Sequence, residues 1–224
     1  LYRSIFTILL VLIVDQVSKV YVKLNFELYE RIPVIEGVFQ LHFIENPGMA
    51  WGMSLPGVWG KISLTLFRVI AVIVIGFYLR RVIKEQQAKG FITCVSLVLA
   101  GAIGNIIDSA VYGQLFTRST ARKAAEFASE EAPGYAAFLQ GKVVDMLHFC
   151  MEWPQWVPYF GARGGEIFPP IFNVADAAIS VGIIWIIIRQ KAYFKKESSQ
   201  DHEEMEVSEI DATIPPENQA STEL

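Results

Sequence analysis

Cysteine is nearly absent from the 224-residue chain, which holds only Cys94 and Cys150. Cys94 starts an apolar run on one side and Cys150 lies in a loop on the other, so a disulfide framework is excluded. Histidine is equally scarce. His42, His148 and His202 are scattered and form no His-Glu-x-x-His pattern, so zinc-dependent hydrolysis lacks its signature. There is no Walker-type phosphate loop, nothing suggests nucleic-acid recognition, and no serine or cysteine has a convincing activating partner. Charge is missing over long distances. A soluble domain of this length would show amphipathic stripes between polar segments, and these are not what the chain contains.

It contains instead four stretches that are apolar around the whole helical circumference, near 4–22, 62–79, 91–111 and 171–188. The hydrophobic fraction is 53% and the mean hydropathy +0.37. Each stretch approaches the roughly 20 residues needed to cross about 30 Å of hydrocarbon. Backbone groups in lipid must be satisfied within the segment, so helices are expected. The expected architecture is an α-helical integral membrane protein, one bundle over 1–196 with four transmembrane helices. The first stretch begins with Arg3 and an apolar core but continues through Asp15, Gln16 and Lys19 without a small-residue cleavage site. It reads as a retained helix.

Net charge is −4, yet residues 197–224 hold nine acids and no Lys or Arg, which leaves 19 bases against 14 acids elsewhere. This acidic tail is expected to be disordered and cytoplasmic. Nine bases cluster at Arg3, at Arg80, Arg81, Lys84 and Lys89, and at Arg189, Lys191, Lys195 and Lys196. Those places should be cytoplasmic, with both termini inside and segments 24–61 and 113–170 outside.

In the first outer segment, Val34, Ile35, Val38, Phe39, Leu41 and Phe43 alternate partially around Gly37, which predicts short strands and a turn. A turn-rich piece, Glu45 to Gly52, follows. In the second, 117–140 is rich in Ala, Glu, Lys and Arg and suggests a surface helix. Residues 150–168 carry Trp153, Trp156, Tyr159 and Phe160, suited to the headgroup zone.

The most informative residues are polar ones within apolar runs, where a charge at the bilayer centre costs about 2.5–3.5 kcal/mol on insertion scales. Asp15 and Lys19 share a face. They form either an internal ion pair locking a helix end or a support for the outer segment or substrate. Gly101 and Gly104 permit close helix approach, but packing does not explain Asn105 and Asp108 on one face. Asn173 and Asp176 repeat that Asn-x-x-Asp spacing, and Asn173 also suits a helix cap. Asp145 lies among apolar residues, Val143-Val144-Asp145-Met146-Leu147, where a half-buried edge strand would read the same way.

Two aspartates brought together at low dielectric tend to share one proton. The ionised one can take a proton from water while the other polarises a scissile carbonyl. No metal and no cofactor is then needed. A proton-coupled carrier or membrane scaffold is the rival use of intramembrane acids, and an aspartyl protease with other substrates is another.

Five blocks occur in order: Asp15-Gln16-Val17-Ser18-Lys19, Asn46-Pro47-Gly48-Met49-Ala50-Trp51, Gly104-Asn105-Ile106-Ile107-Asp108, Val143-Val144-Asp145 and Phe172-Asn173-Val174-Ala175-Asp176. Together they resemble the signature blocks of the bacterial lipoprotein signal peptidases. The resemblance implies an inner-membrane aspartyl endopeptidase with its site near the outer face and a small extracytoplasmic β-cradle over it. It implies cleavage of prolipoproteins just before a diacylglyceryl-modified cysteine, in contact with membrane lipids, and sensitivity to globomycin-type inhibitors. It places the catalytic pair on Asp145 and Asp176. Asn46, Gly48, Asn105, Asp108 and Asn173, with Asp15, Lys19 and Ala175, match positions that bind substrate or support the site. A monomer is expected. The family commonly carries Arg after the third-block Asp, where this chain has Ser109, so any contact of that Arg requires Arg118, Arg122 or Lys142 as a substitute. The connections 108–143 and 145–173 exceed the compact pattern. Their inserts are expected to form a lid or membrane-surface flap affecting access rather than chemistry.

Overall fold

The computed structural model describes residues 1–47, 57–157 and 165–213, with side chains except at 57–59, 61 and 194–213. Helix α1 (Tyr2–Asn25) leads into strands β1 (Arg31–Ile35) and β2 (Phe39–Asn46), followed by α2 (Gly57–Lys84) and α3 (Lys89–Ile107). α3 continues into a π-helical turn, Asp108–Tyr112, and a single turn α4 (Gly113–Leu115). β3 (Val143–Phe149) and α5 (Val174–Thr213) complete the order.

Tyr2–Asn25, Ile62–Lys84 and Lys89–Leu115 are long and apolar enough to cross a bilayer. The run expected at 171–188 falls largely in α5, which starts at Val174 and continues to Thr213. Helix therefore occupies 197–213, where irregular backbone was expected. The Glu, Gln, Met and Ala residues there are strong helix formers, and that local preference prevails over the charge. Residues 214–224 lie outside the described residues.

α3 packs against α1, α2 and α5. Small residues set this approach. A Cβ at Gly101 would run into the carbonyl oxygen of Ala175, and one at Gly104 would lie 2.7 Å from Asp15 Oδ2 and 3.1 Å from the Ala175 Cβ. Buried Ala175 is thus the point where α5 meets α3 and α1.

The strands form an antiparallel sheet in the order β1-β2-β3. The expected turn sits at Gly37, whose φ of 70° is the left-handed region that glycine tolerates best. Alternation along β3 sends Val144 and Met146 into a core with Val22, Phe43, Tyr112 and Phe116. It leaves Val143 and Asp145 on the opposite face, lining a cavity.

No helix forms over 117–140, contrary to expectation. The backbone donors of this stretch are spent elsewhere: Ala125 N–H on the Lys23 carbonyl (3.2 Å), Ala128 on Leu115 (2.8 Å) and Ala136 on Gly113 (3.0 Å). Just beyond it, Gly141 N–H reaches the Ser109 carbonyl in the π turn (2.8 Å). A buried clamp adds to this. Lys23 pairs with Glu45 and donates to Ser119 Oγ at 2.9 Å, while its ammonium lies 4.8 Å from the centre of the Tyr135 ring. Lys142 reaches the other Glu45 oxygen at 2.9 Å. Burial pushes the Glu45 carboxyl up, but Lys23 and Lys142 more than offset this and hold it below its ordinary value. Its stabilisation is therefore present near neutral pH and lost as pH falls through the depressed value. The segment is pinned to α1 and β2, and none of its residues lines the cavity.

Glu45→Ala strands the buried Lys23 ammonium and should cost about 3–5 kcal/mol. Lys142→Ala removes a partly exposed partner and should cost about 1 kcal/mol or less. Thermal unfolding in detergent checks both, and equal small losses would show that the clamp contributes no stability.

Candidate active site

The site is organised around one ammonium. Lys19 Nζ lies 2.9 Å from Asp15 Oδ2 and 2.9 Å from Asp108 Oδ2, with all three side chains fully buried. Its third donor goes to Asn105 Oδ1, also at 2.9 Å. A lysine has three N–H donors, and all are used. The Asp15–Lys19 pair is therefore both an internal lock and a support for the residues beyond it.

From this centre the bonds run outward to the ends of other elements. Asp15 Oδ1 accepts the Ala175 N–H at 2.8 Å, satisfying an orphan donor in the first turn of α5. Asp108 Oδ2 accepts the Val144 N–H at 3.1 Å, which fixes β3 one residue from Asp145. Gln16 Nε2 donates to Asp15 Oδ2 and Asp108 Oδ1, both at 3.0 Å, and Gln16 Oε1 accepts from the Tyr112 hydroxyl at 3.1 Å.

The two asparagines of the Asn-x-x-Asp repeats orient the acids. Because Asn105 Oδ1 accepts from Lys19, its Nδ2 is left to donate to Asp176 Oδ1 at 2.8 Å. Asn173 caps α5, and its Oδ1 accepts the Asp176 N–H at 2.9 Å. Asp176 Oδ2 in turn accepts the Asn173 N–H at 3.3 Å, a reciprocal capping arrangement. The Asn173 Nδ2 then donates to Asp145 Oδ1 at 2.7 Å, and Asn46 Nδ2 reaches Asp145 Oδ2 at 3.2 Å. Asn173 therefore contacts both acids.

Asp145 and Asp176 line one cavity of about 900 Å³ together with Asn46, Asn105 and Arg68. Its remaining wall is largely apolar and includes Phe149, Phe168, Phe172, Val181 and Ile184. Val181 and Ile184 are also exposed on the outer face of α5. Burial, and then the charge of Asp176, push the Asp145 carboxyl up to about 7, against the opposing hydrogen bonds from Asn46 and Asn173. Among the described residues, no group of three or more His, Cys, Asp or Glu side chains is placed to hold a metal ion.

Of the residues expected at the site, Asp15, Lys19, Asn46, Asn105, Asp108, Asp145, Asn173, Ala175 and Asp176 form one connected arrangement. Gly48 lies outside the described residues. None of the three expected substitutes for an arginine at position 109 lines the cavity. Arg118 and Arg122 are exposed, and Lys142 is engaged with Glu45. From the segment 150–168, Phe168 does line it. Arg68 and Gln16 were not anticipated. Arg68 carried a signal, being the one charged residue in the run 62–79, while Gln16 carried none beyond its place between Asp15 and Lys19.

The signal peptidase (SPase) II family model matches residues 7–191. A lipoprotein signal peptidase of Porphyromonas gingivalis is 40% identical over 185 residues, covering 81% of this chain and 79% of its own length. The Bacillus subtilis lipoprotein signal peptidase is 28% identical, covering 81% and 88%. A solved bacterial membrane enzyme superposes with a TM-score of 0.58 at 25% identity, covering 88% of this chain and 92% of its own. Family model, relatives and fold agree: the chain belongs to the signal peptidase II family of lipoprotein signal peptidases.

Proposed function

We propose that this aspartic endopeptidase removes signal peptides from prolipoproteins through Asp145 and Asp176, acting as a pair that shares one proton. The single observation that supports the assignment is that the two acids, from β3 and from the first turn of α5, line one cavity and are both held by Asn173. Asp145 keeps the proton, because burial and the neighbouring carboxylate disfavour its charge. Asp176 sits at a helix N-terminus with Asn105 and the Asn173 N–H on its oxygens. Asp176 takes a proton from water as that water attacks the scissile carbonyl. Asp145 donates its proton to the carbonyl oxygen, giving a neutral tetrahedral diol. The roles reverse as the diol collapses and the leaving nitrogen is protonated.

The substrate is a diacylglyceryl-modified prolipoprotein cut just before the lipidated cysteine. The apolar wall formed by Phe149, Phe168, Val181 and Ile184 suits acyl chains and a signal-peptide segment approaching from lipid along α5. Globomycin-type inhibitors would occupy the same cavity. Residues 174–188 of α5 form a fourth crossing, whose Val181, Ile184, Ile187 and Ile188 are exposed to lipid. The protein resides in the bacterial inner membrane as a monomer. Both termini are cytoplasmic, and the site and three-stranded cradle lie at the outer face.

A gel-shift assay with lipidated prolipoprotein in detergent tests this reading. Asp145→Asn and Asp176→Asn should each reduce turnover at least about 100-fold while the protein still folds. Full activity in either would remove that residue from the pair. Cleavage should be lipid-dependent and insensitive to chelators. Because catalysis needs a protonated Asp145, kcat should fall as pH rises through about 7. A flat profile between about pH 5 and 9 would contradict the assignment.

A further inference from the structure

We propose that Arg68 is a positioning residue of this site: its guanidinium supplies the positive charge against which Asp145 and Asp176 together hold one negative charge, and Ser109 aims it there. The inference rests on reading those aspartates as the catalytic pair.

Arg68 is the only charged residue in the run 62–79 of α2. A cation in such a run belongs where its charge is offset, and Arg68 faces the cavity rather than lipid. It is the only basic residue lining that cavity among the described residues. Asp176, Asp145 and Asp108 all act on it electrostatically. Its Nη1 donates to Ser109 Oγ at 3.5 Å, and Ser109 Oγ donates to the Asn105 carbonyl at 3.0 Å. Asn105 is the residue whose carboxamide holds Asp176. The guanidinium and the aspartate are thus referenced to the same turn of α3.

The other groups around the pair leave this task to Arg68. From α1, Lys19 is present but spends its donors on Asp15, Asp108 and Asn105. From β2 and the α5 cap, Asn46 and Asn173 supply neutral donors. Asp15 and Asp108 add negative charge. A pair with one shared proton carries a single negative charge, and Arg68 neutralises it. Moving a proton from water to one acid and from the other acid to the carbonyl oxygen leaves that balance unchanged. Arg68 therefore favours the singly protonated pair over the doubly protonated one without itself transferring a proton. Removing its charge should make both acids hold protons more tightly, so the whole pH profile should move upward.

The test uses the full chain in detergent with lipidated prolipoprotein, measuring kcat and KM against pH. Arg68→Gln keeps a donor for Ser109 but no charge. It should shift the profile up by about one pH unit with little change in KM, lowering kcat about tenfold on the acid limb and carrying the fall near 7 to higher pH. Arg68→Lys should retain the wild-type profile. Ser109 lies where the Arg68 guanidinium reaches, so Arg68→Gln combined with Ser109→Arg should bring the profile back toward wild type. An unmoved profile in Arg68→Gln overturns the proposal. So does an equal loss in Gln and Lys with no profile shift, which would mark a packing role. If Arg68→Gln does not fold, the Ser109→Arg combination decides. A folded double variant that cleaves along the wild-type profile supports the proposal, and one that is inactive or displaced overturns it. Asp145→Asn is assayed in parallel. If it still cleaves, the pair itself is wrong and the proposal falls with it. If it is inert while the Arg68→Gln profile stays put, only the Arg68 assignment fails.

Discussion

The ammonium of Lys19 is the constraint on which the rest depends. Placing it and two carboxylates out of water costs several kcal/mol per ion, and the attraction among them repays this only when the remaining donors and acceptors are satisfied. Here they are. Three donors meet Asp15, Asp108 and Asn105, and the two acids also take backbone N–H groups, Ala175 on the far oxygen of Asp15 and Val144 on the oxygen of Asp108 that meets Lys19. Those two N–H groups belong to the residues immediately before Asp176 and Asp145. The ion cluster thereby fixes the positions of two acids that come from different elements and lie far apart in sequence.

The same logic explains why the carboxylates are not free to pair with the nearest cation. Asn105 presents its oxygen to Lys19 and its nitrogen to Asp176, so the carboxamide converts a positive charge behind the site into a neutral donor within it. Asn173 does likewise with its two ends, capping α5 through oxygen and holding Asp145 through nitrogen. The Asn-x-x-Asp spacing is thus a device for delivering donors to acids without bringing lysine into the cavity. The glycines make it possible, because Gly101 and Gly104 let α3 come close to α1 and α5 at this level.

Much of this was legible from residues out of place. Asp15, Lys19, Asn105, Asp108 and Asp176 sit in runs otherwise made for lipid, where a polar side chain demands a reason, and the hairpin showed itself through alternation around Gly37. Two features did not show. The stretch 117–140 has the composition of a helix, but its N–H groups are claimed by carbonyls of α1, α4 and the π turn, and a composition cannot record partners distant in sequence. Arg68 was visible as a lone charge but silent about direction. Nothing in a uniformly apolar helix says which face meets a cavity until α3 and α5 are packed beside it.

The most direct test of the shared-proton pair is an infrared titration of the carboxyl bands in wild type and in Asp176→Asn. Electrostatic coupling requires a wild-type band that titrates near 7, assigned to Asp145, and that moves to lower pH once the neighbouring charge is gone. A band that titrates identically in both proteins would mean that the two acids do not sense one another, and the assignment of a catalytic pair would not stand.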